Sequence, residues 1–288
     1  MSGSFSIVST IRQKGALCWR LRPSIAGRAA LLDRRTVLTL ANIVSDFRHC
    51  DKIKDLKEQG FRMVVDMPHQ DRFPEISLLA GNNVPNFNPQ DWRTPNSTTW
   101  DPDAKAPFFE LCATTALAGE AKLPSGQRLF NVDPTNQVFG VVDGDPKANT
   151  HFLMMATQKY GTMLDQGFFP LNWVKFFSGA AAIQKELGIA NDPVRYVANF
   201  GLGFQQGPRV HMHVLSAKEG LLNMFPQTYG FLINHDGTIA APEGAPALSH
   251  IIDLIDQRRV LNGYTPEVKQ AKLALDQQIF STIRALGI

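Results

Sequence analysis

The chain has 288 residues, 44% of them apolar and 19% charged, with a net charge of +3. That length allows a sizeable core in one large or two small domains, and the near-neutral balance gives no charge argument for nucleic-acid binding. Three cysteines without a pairing pattern (Cys18, Cys50, Cys112) argue against a disulfide framework, and the most apolar run, 167–183, is interrupted by Pro170 and Lys175, so no transmembrane helix is expected.

Residues 1–35 carry Arg12, Lys14, Arg20, Arg22, Arg28, Arg34 and Arg35 against one acidic side chain, Asp33, with serines scattered between them. An Arg- and Ser-rich, acid-poor start has the composition of a mitochondrial transit peptide. The alternative is a basic arm held against RNA, acidic lipid or a protein partner. Residues 36–60 read as a helix, because Val37, Leu40, Ile43, Val44 and Phe47 recur at helical spacing. From 61 to 107, Pro68, Pro74, Pro85, Pro89, Pro95, Pro102 and Pro107 punctuate an Asn-rich stretch that also holds Trp92 and Trp100. Such a stretch predicts a strap lying on a surface rather than long regular elements.

From Phe108 the pattern becomes that of a compact α+β unit. A short helix is expected over 111–122, with strands over 129–132 and 137–142, and a turn then leads into a strand containing His151. A helix over 173–187 stops at Gly188. A strand over 195–199 follows, then a Gly-rich loop, then Arg209-Val210-His211-Met212-His213-Val214-Leu215. On a strand, alternate side chains share a face. Arg209, His211 and His213 therefore project together, while Val210, Met212 and Val214 enter the core. Such a face suits an anion or phosphate. Two histidines alone are also common on a solvated face, and His-x-His is a frequent metal pair. No cysteine stands at ligand spacing from them, so no metal ion and no cofactor are expected.

The order of these pieces resembles the histidine triad (HIT) superfamily of nucleotide hydrolases and transferases over roughly 108–215. Val138-Phe139-Gly140-Val141-Val142-Asp143 is similar to the strand that ends on the family's ribose-binding acidic residue, and Pro146 to Leu153 to the segment that holds a histidine at the place of His151. Tyr196-Val197-Ala198-Asn199 resembles the strand whose Asn lies near the phosphate. His211 and His213 match the second and third histidines of the triad, whereas Arg209 stands in place of the first and Gln205-Gln206-Gly207-Pro208 in place of the loop before it. A second register would make His211 the first histidine and Leu215 the third. The first register is preferred because Val214-Leu215 then closes the motif.

The resemblance implies an antiparallel HIT-like sheet with helices and a purine nucleotide as ligand. It implies His211 as the nucleophile that forms a nucleotidyl-histidine and His213 as phosphate contact or acid. Asp143, His151, Asn199, Arg209 and Gln206 become the nucleotide-binding set. Arg209 binds phosphate well but cannot act as an acid at neutral pH. A catalytically weak accessory subunit of a mitochondrial assembly is the second implied class, and a homodimer is a further expectation from the resemblance.

After the His strand, residues 221–233 read as a further strand, and two helices end the chain. The second is opened by Thr265 as N-cap, Pro266 at the first helical position and Glu267 in the first turn. The sequence thus divides into a transit-like arm (1–35), a helix and strap (36–107), a HIT-like domain (108–237) and a C-terminal helical hairpin (238–288). Arm, strap and hairpin are the expected contacts for other protein chains.

Overall fold

The computed structural model describes residues 5–13, 16–24, 26–27, 29–49, 60–67, 73–81, 106–133, 135, 137–144, 146, 148–160, 163–164, 168, 171–200, 209–218, 250, 254, 257–258, 261 and 265–285. The strap around Trp92 and Trp100, Gln206 and its loop, the strand expected over 221–233 and most of the first C-terminal helix lie outside them.

Among the described residues, nine strands form one sheet: β1 (Phe5–Gln13), β2 (Ala16–Pro23), β3 (Phe61–Met67), β4 (Glu75–Gly81), β5 (Leu129–Phe130), β6 (Val138–Val142), β7 (Thr150–Ala156), β8 (Val194–Phe200) and β9 (His211–Ser216). Their spatial order is β1-β2-β4-β3-β8-β9-β7-β6-β5, and every pairing is antiparallel. Helices α1 (Ala29–Leu32), α2 (Arg34–His49), α3 (Ala106–Leu117), α4 (Leu171–Glu186) and α5 (Pro266–Ala285) accompany it. The α+β class and antiparallel sheet expected from the sequence are present.

Two expectations change. The basic start, read as a transit-like arm or a basic arm held against a partner, is part of the sheet, because β1 and β2 form a hairpin whose second strand pairs with β4. The Pro-rich region is not without regular structure in its first part, since β3 and β4 occupy 61–67 and 75–81. Pro68 and Pro74 fall between these strands, where proline costs no ladder hydrogen bond. Strand β3 then pairs with β8 from Phe61↔Phe200 to Met67↔Val194. The sheet therefore crosses the boundary expected at 107/108.

An aromatic chain ties the hairpin into the core. Trp19 meets Phe47 edge-on at 5.0 Å, Phe47 meets Phe61 at 5.3 Å, Phe61 stacks on Phe200 at 4.5 Å, and Phe200 stacks on Trp173 at 6.4 Å. It runs from β2 through α2, β3 and β8 to α4.

Helices α2 and α4 cover one face of the sheet. Thr36, Val37, Leu40, Ala41, Val44 and Phe47 of α2 are buried at helical spacing, and the Asp33 carboxylate caps its start by accepting from the Thr36 amide and hydroxyl at 2.7 Å. Trp173, Phe176, Phe177, Ala180 and Ile183 of α4 join the same core as Phe152, Met154, Val210, Met212 and Val214. The helix sits very close to β6. A Cβ on Gly140 would lie 2.3 Å from the Ile183 Cδ1, so any side chain there would force the end of Ile183 to move. Helix α4 ends as expected, with Gly188 at φ 71°. Helix α3 lies on the opposite face, where Phe109, Cys112, Ala113 and Ala116 pack with Phe139, Val141, Leu153 and Met155. At the start of α5, the Val268 amide donates to the Thr265 hydroxyl at 3.4 Å, as the N-cap reading predicts.

Candidate active site

The strand registers place the chemistry on one face. Leu153 lies opposite His213 and Met155 opposite His211 across β7–β9, Val197 lies opposite His213 across β8–β9, and Arg62 lies opposite Asn199 across β3–β8. With period two, His151, His211, His213, Asn199 and Arg62 all stand on the α3 side. Val210, Met212 and Val214 enter the core behind, which is the facing the sequence predicted. All five polar residues are buried.

His211 is held by its own chain. Its Nδ1 is 2.9 Å from the Arg209 carbonyl oxygen. A carbonyl oxygen only accepts, so Nδ1 carries a proton, and in the neutral imidazole the lone pair is on Nε2. The Phe109 ring of α3 lies 5.1 Å away at 49°, and the His213 ring 5.2 Å away at 74°. These walls leave His211 few orientations.

His213 belongs to a second group. Its Nδ1 is 3.0 Å from Nε2 of His151, and that Nε2 is 3.6 Å from Oδ2 of Asp143. Asp143 follows the last residue of β6, and its amide donates to the His151 carbonyl at 3.0 Å, closing the β6–β7 hairpin. Asp143, His151 and His213 each bring a donor atom within 4.8 Å of the others. Pairing of β6, β7 and β9 thus brings together three side chains able to hold a metal ion, a grouping that sequence spacing did not show.

Arg209 is not poised over the histidines as a phosphate fork. Its Nη1 donates to the Thr157 carbonyl at 2.5 Å and its Nη2 to the Glu110 carboxylate at 2.6 Å, an ion pair between α3 and the strand entry. The Arg209 hydrogen bond, ahead of its charge, holds the Glu110 carboxyl below its ordinary range. Arg209 therefore fixes the backbone whose carbonyl holds His211. Asn199 accepts from Nε of Arg62 at 2.8 Å. Burial pulls that guanidinium down to about 9, so it remains cationic at neutral pH beside the histidine strand.

Arg62, Glu110 and Thr157 are residues that sequence reasoning did not single out. Arg62 did leave a signal: a lone arginine inside Phe61-Arg62-Met63-Val64-Val65 is a buried charge in search of a partner. Glu110 and Thr157 left none. Cys112, also buried in this layer, is no rival nucleophile, because burial pushes its thiol up to about 12. Among the described residues no helix is long and apolar enough to cross a membrane.

No family model matches the chain, and no curated protein matches it. Solved structures share a distant likeness. One is a uridylyltransferase, at 8% identity and TM-score 0.47, covering 96% of this chain and 81% of the other. A galt-like protein from Arabidopsis thaliana aligns at 8% identity and TM-score 0.45, covering 72% of this chain and 67% of that one. An ADP-glucose phosphorylase from Arabidopsis thaliana, with bound ADP-glucose, aligns at 8% identity and TM-score 0.45 over 70% of this chain and 64% of its own. Likeness at this level is too distant to assign chemistry, which has to come from the side chains of this chain.

Proposed function

We propose that the chain binds a purine nucleotide and transfers its nucleotidyl group through His211, acting on a phosphoramidate, acyl-adenylate or dinucleotide-type bond. The observation that carries this reading is the 2.9 Å contact from His211 Nδ1 to the Arg209 carbonyl. It supports the tautomer that a histidine nucleophile needs. In the first step Nε2 attacks the α-phosphorus, a P–N bond forms and the bond to the leaving group breaks. The leaving group takes a proton from a neighbouring acid, the role assigned to His213. Water or another acceptor then attacks the same phosphorus, breaks the P–N bond and frees His211. Asp143 takes the ribose hydroxyls and Asn199 the phosphate side. Arg209, expected as a phosphate ligand, serves instead through its backbone carbonyl.

The decisive assay is single-turnover trapping of a labelled nucleotide on the full chain, with an adenosine phosphoramidate as substrate. Wild type should yield an acid-labile labelled band that His211→Ala abolishes. Arg209→His keeps a carbonyl at residue 209 and should retain the band. Absence of a band in wild type would overturn the reading. A mitochondrial location is part of the proposal, supported by the basic composition of 1–35. Since β1 and β2 belong to the sheet, the imported protein should keep these residues. A reporter fused to 1–35 that stays cytosolic would count against import, and N-terminal sequencing of the native protein tests retention.

A further inference from the structure

We infer that Asp143, His151 and His213 bind one divalent ion of the zinc class, next to His211. Two imidazoles and one carboxylate bring their donor atoms within 4.8 Å of one another. Nε2 of His151 lies 3.0 Å from Nδ1 of His213 and 3.6 Å from Oδ2 of Asp143. A tetrahedral zinc ion with bonds of about 2.0–2.2 Å sets its ligand atoms about 3.4 Å apart. The two separations from His151 Nε2 lie on either side of that value and all three donor atoms lie within 4.8 Å of one another, so side-chain adjustment closes them around one ion.

The donor chemistry selects the ion. Calcium and magnesium prefer shells made of oxygen, whereas two histidines with a carboxylate suit zinc or another late first-row cation and leave a position open to an exchangeable ligand. The frame is rigid in the way a metal site needs. His151 and His213 lie on adjacent strands, offset by one diagonal from the Leu153↔His213 pair, and both are buried. Asp143 sits at the end of the same hairpin with its side chain 18% exposed, giving the ion a route in from the rim. Binding displaces the proton shared between His151 and His213, which leaves to solvent. The ring of His211 lies 5.2 Å from that of His213, so an ion here would polarise a phosphoryl oxygen brought to the nucleophile. The ion takes Oδ2 of Asp143 and Nδ1 of His213, which leaves Oδ1 for the ribose and the Nε2 proton of His213 for the leaving group; ion and nucleotide are measured separately.

The test uses the full chain, prepared without chelator and dialysed after addition of zinc. Elemental analysis should find one zinc ion per chain. Asp143→Asn and His151→Gln should each weaken binding by about a hundredfold or more, since even the outer partners of metal ligands are worth about 10–100-fold. His49→Gln and His250→Gln, both exposed positions, should leave the stoichiometry unchanged. Cobalt in place of zinc should give visible ligand-field bands that vanish in Asp143→Asn. Zinc should also raise the Tm of wild type and not of that variant. Asp143→Asn changes a residue at the rim, and circular dichroism of the metal-free variant verifies its fold. Stoichiometric zinc that survives both ligand substitutions would overturn the site, and so would zinc no tighter than in a His49→Gln, His250→Gln background lacking Asp143. Calorimetry with AMP on the zinc-free protein tests nucleotide binding separately.

Discussion

On the α2/α4 side of the sheet, Phe152, Met154, Val210, Met212 and Val214 meet Trp173, Phe176 and Phe177 in an apolar core. On the other side the alternate residues of the same strands are His151, His211, His213, Asn199 and Arg62, and they are buried as well. Burial of polar groups costs free energy unless each finds a partner. The partners are present: His211 with the Arg209 carbonyl, His213 with His151, Asn199 with Arg62 and Arg195 with Asp66 at 2.5 and 2.8 Å. Such pairs seldom stabilise more than well-packed apolar side chains of the same volume. The first face is apolar throughout these strands, whereas the second sets buried polar side chains beside the Phe139, Val141, Leu153 and Met155 cluster, and it is on the polar set that the proposed chemistry rests.

The largest expected effect separates the two faces outright. His211→Ala should abolish nucleotide labelling and cut turnover by about six orders of magnitude, as loss of a catalytic nucleophile does elsewhere, while Tm stays near that of wild type. A parallel loss of labelling and folding would mean that His211 is only packing. Phe152→Ala, directly behind on β7, should do the opposite. It should cost about 3–5 kcal/mol in denaturant unfolding and leave labelling per folded molecule intact.

A third substitution probes where the faces share a duty. Asn199→Ala removes the acceptor of a fully buried guanidinium, so unfolding should show a loss of about 2–3 kcal/mol. Arg62→Met in the same background should recover part of it. No recovery would mean that the pair is not coupled.

The smallest effect lies away from both faces. Burial alone would raise the Asp133 carboxyl, but the Thr135 hydroxyl, the amides of Thr135 and Gln137 and the Lys175 ammonium together hold it below its ordinary value of 3.8. A carboxyl lowered by folding adds stability that is complete above its unfolded value and is lost as pH falls through the folded one. Asp133→Asn should therefore cost up to about 1 kcal/mol at neutral pH, and its urea midpoints should converge on those of wild type as pH falls from 3.8 through the lower folded value. A constant difference at all pH values would remove the ion pair as its cause.

Much of the second half was legible because local signals agree there. Alternation around His211 and His213 sets their face, Gly188 stops α4, and the run from Val138 to Val142 reads as a strand; each became an element near its expected bounds. The first half was misread for a physical reason. Basic residues and serines in 5–23, and prolines around 61–81, dominate any compositional reading. Yet Trp19-Arg20-Leu21-Arg22 and Met63-Val64-Val65 already alternate or branch as strands do. Composition outweighed pattern, and pattern was right.

By itself, then, the sequence determined which side chains share a strand face, because period two is a property of the extended backbone. The tertiary structure alone decided what those side chains meet. Arg62 reaches Asn199 only because β3 pairs with β8 across 137 positions of chain. Glu110 holds Arg209 across 99 positions, which leaves the Arg209 backbone, not its guanidinium, to serve His211. Asp143, His151 and His213 converge because β6, β7 and β9 adopt one register among several that the same apolar pattern would allow. A local pattern fixes the facing of a strand, but its neighbours and register follow from packing of the whole sheet.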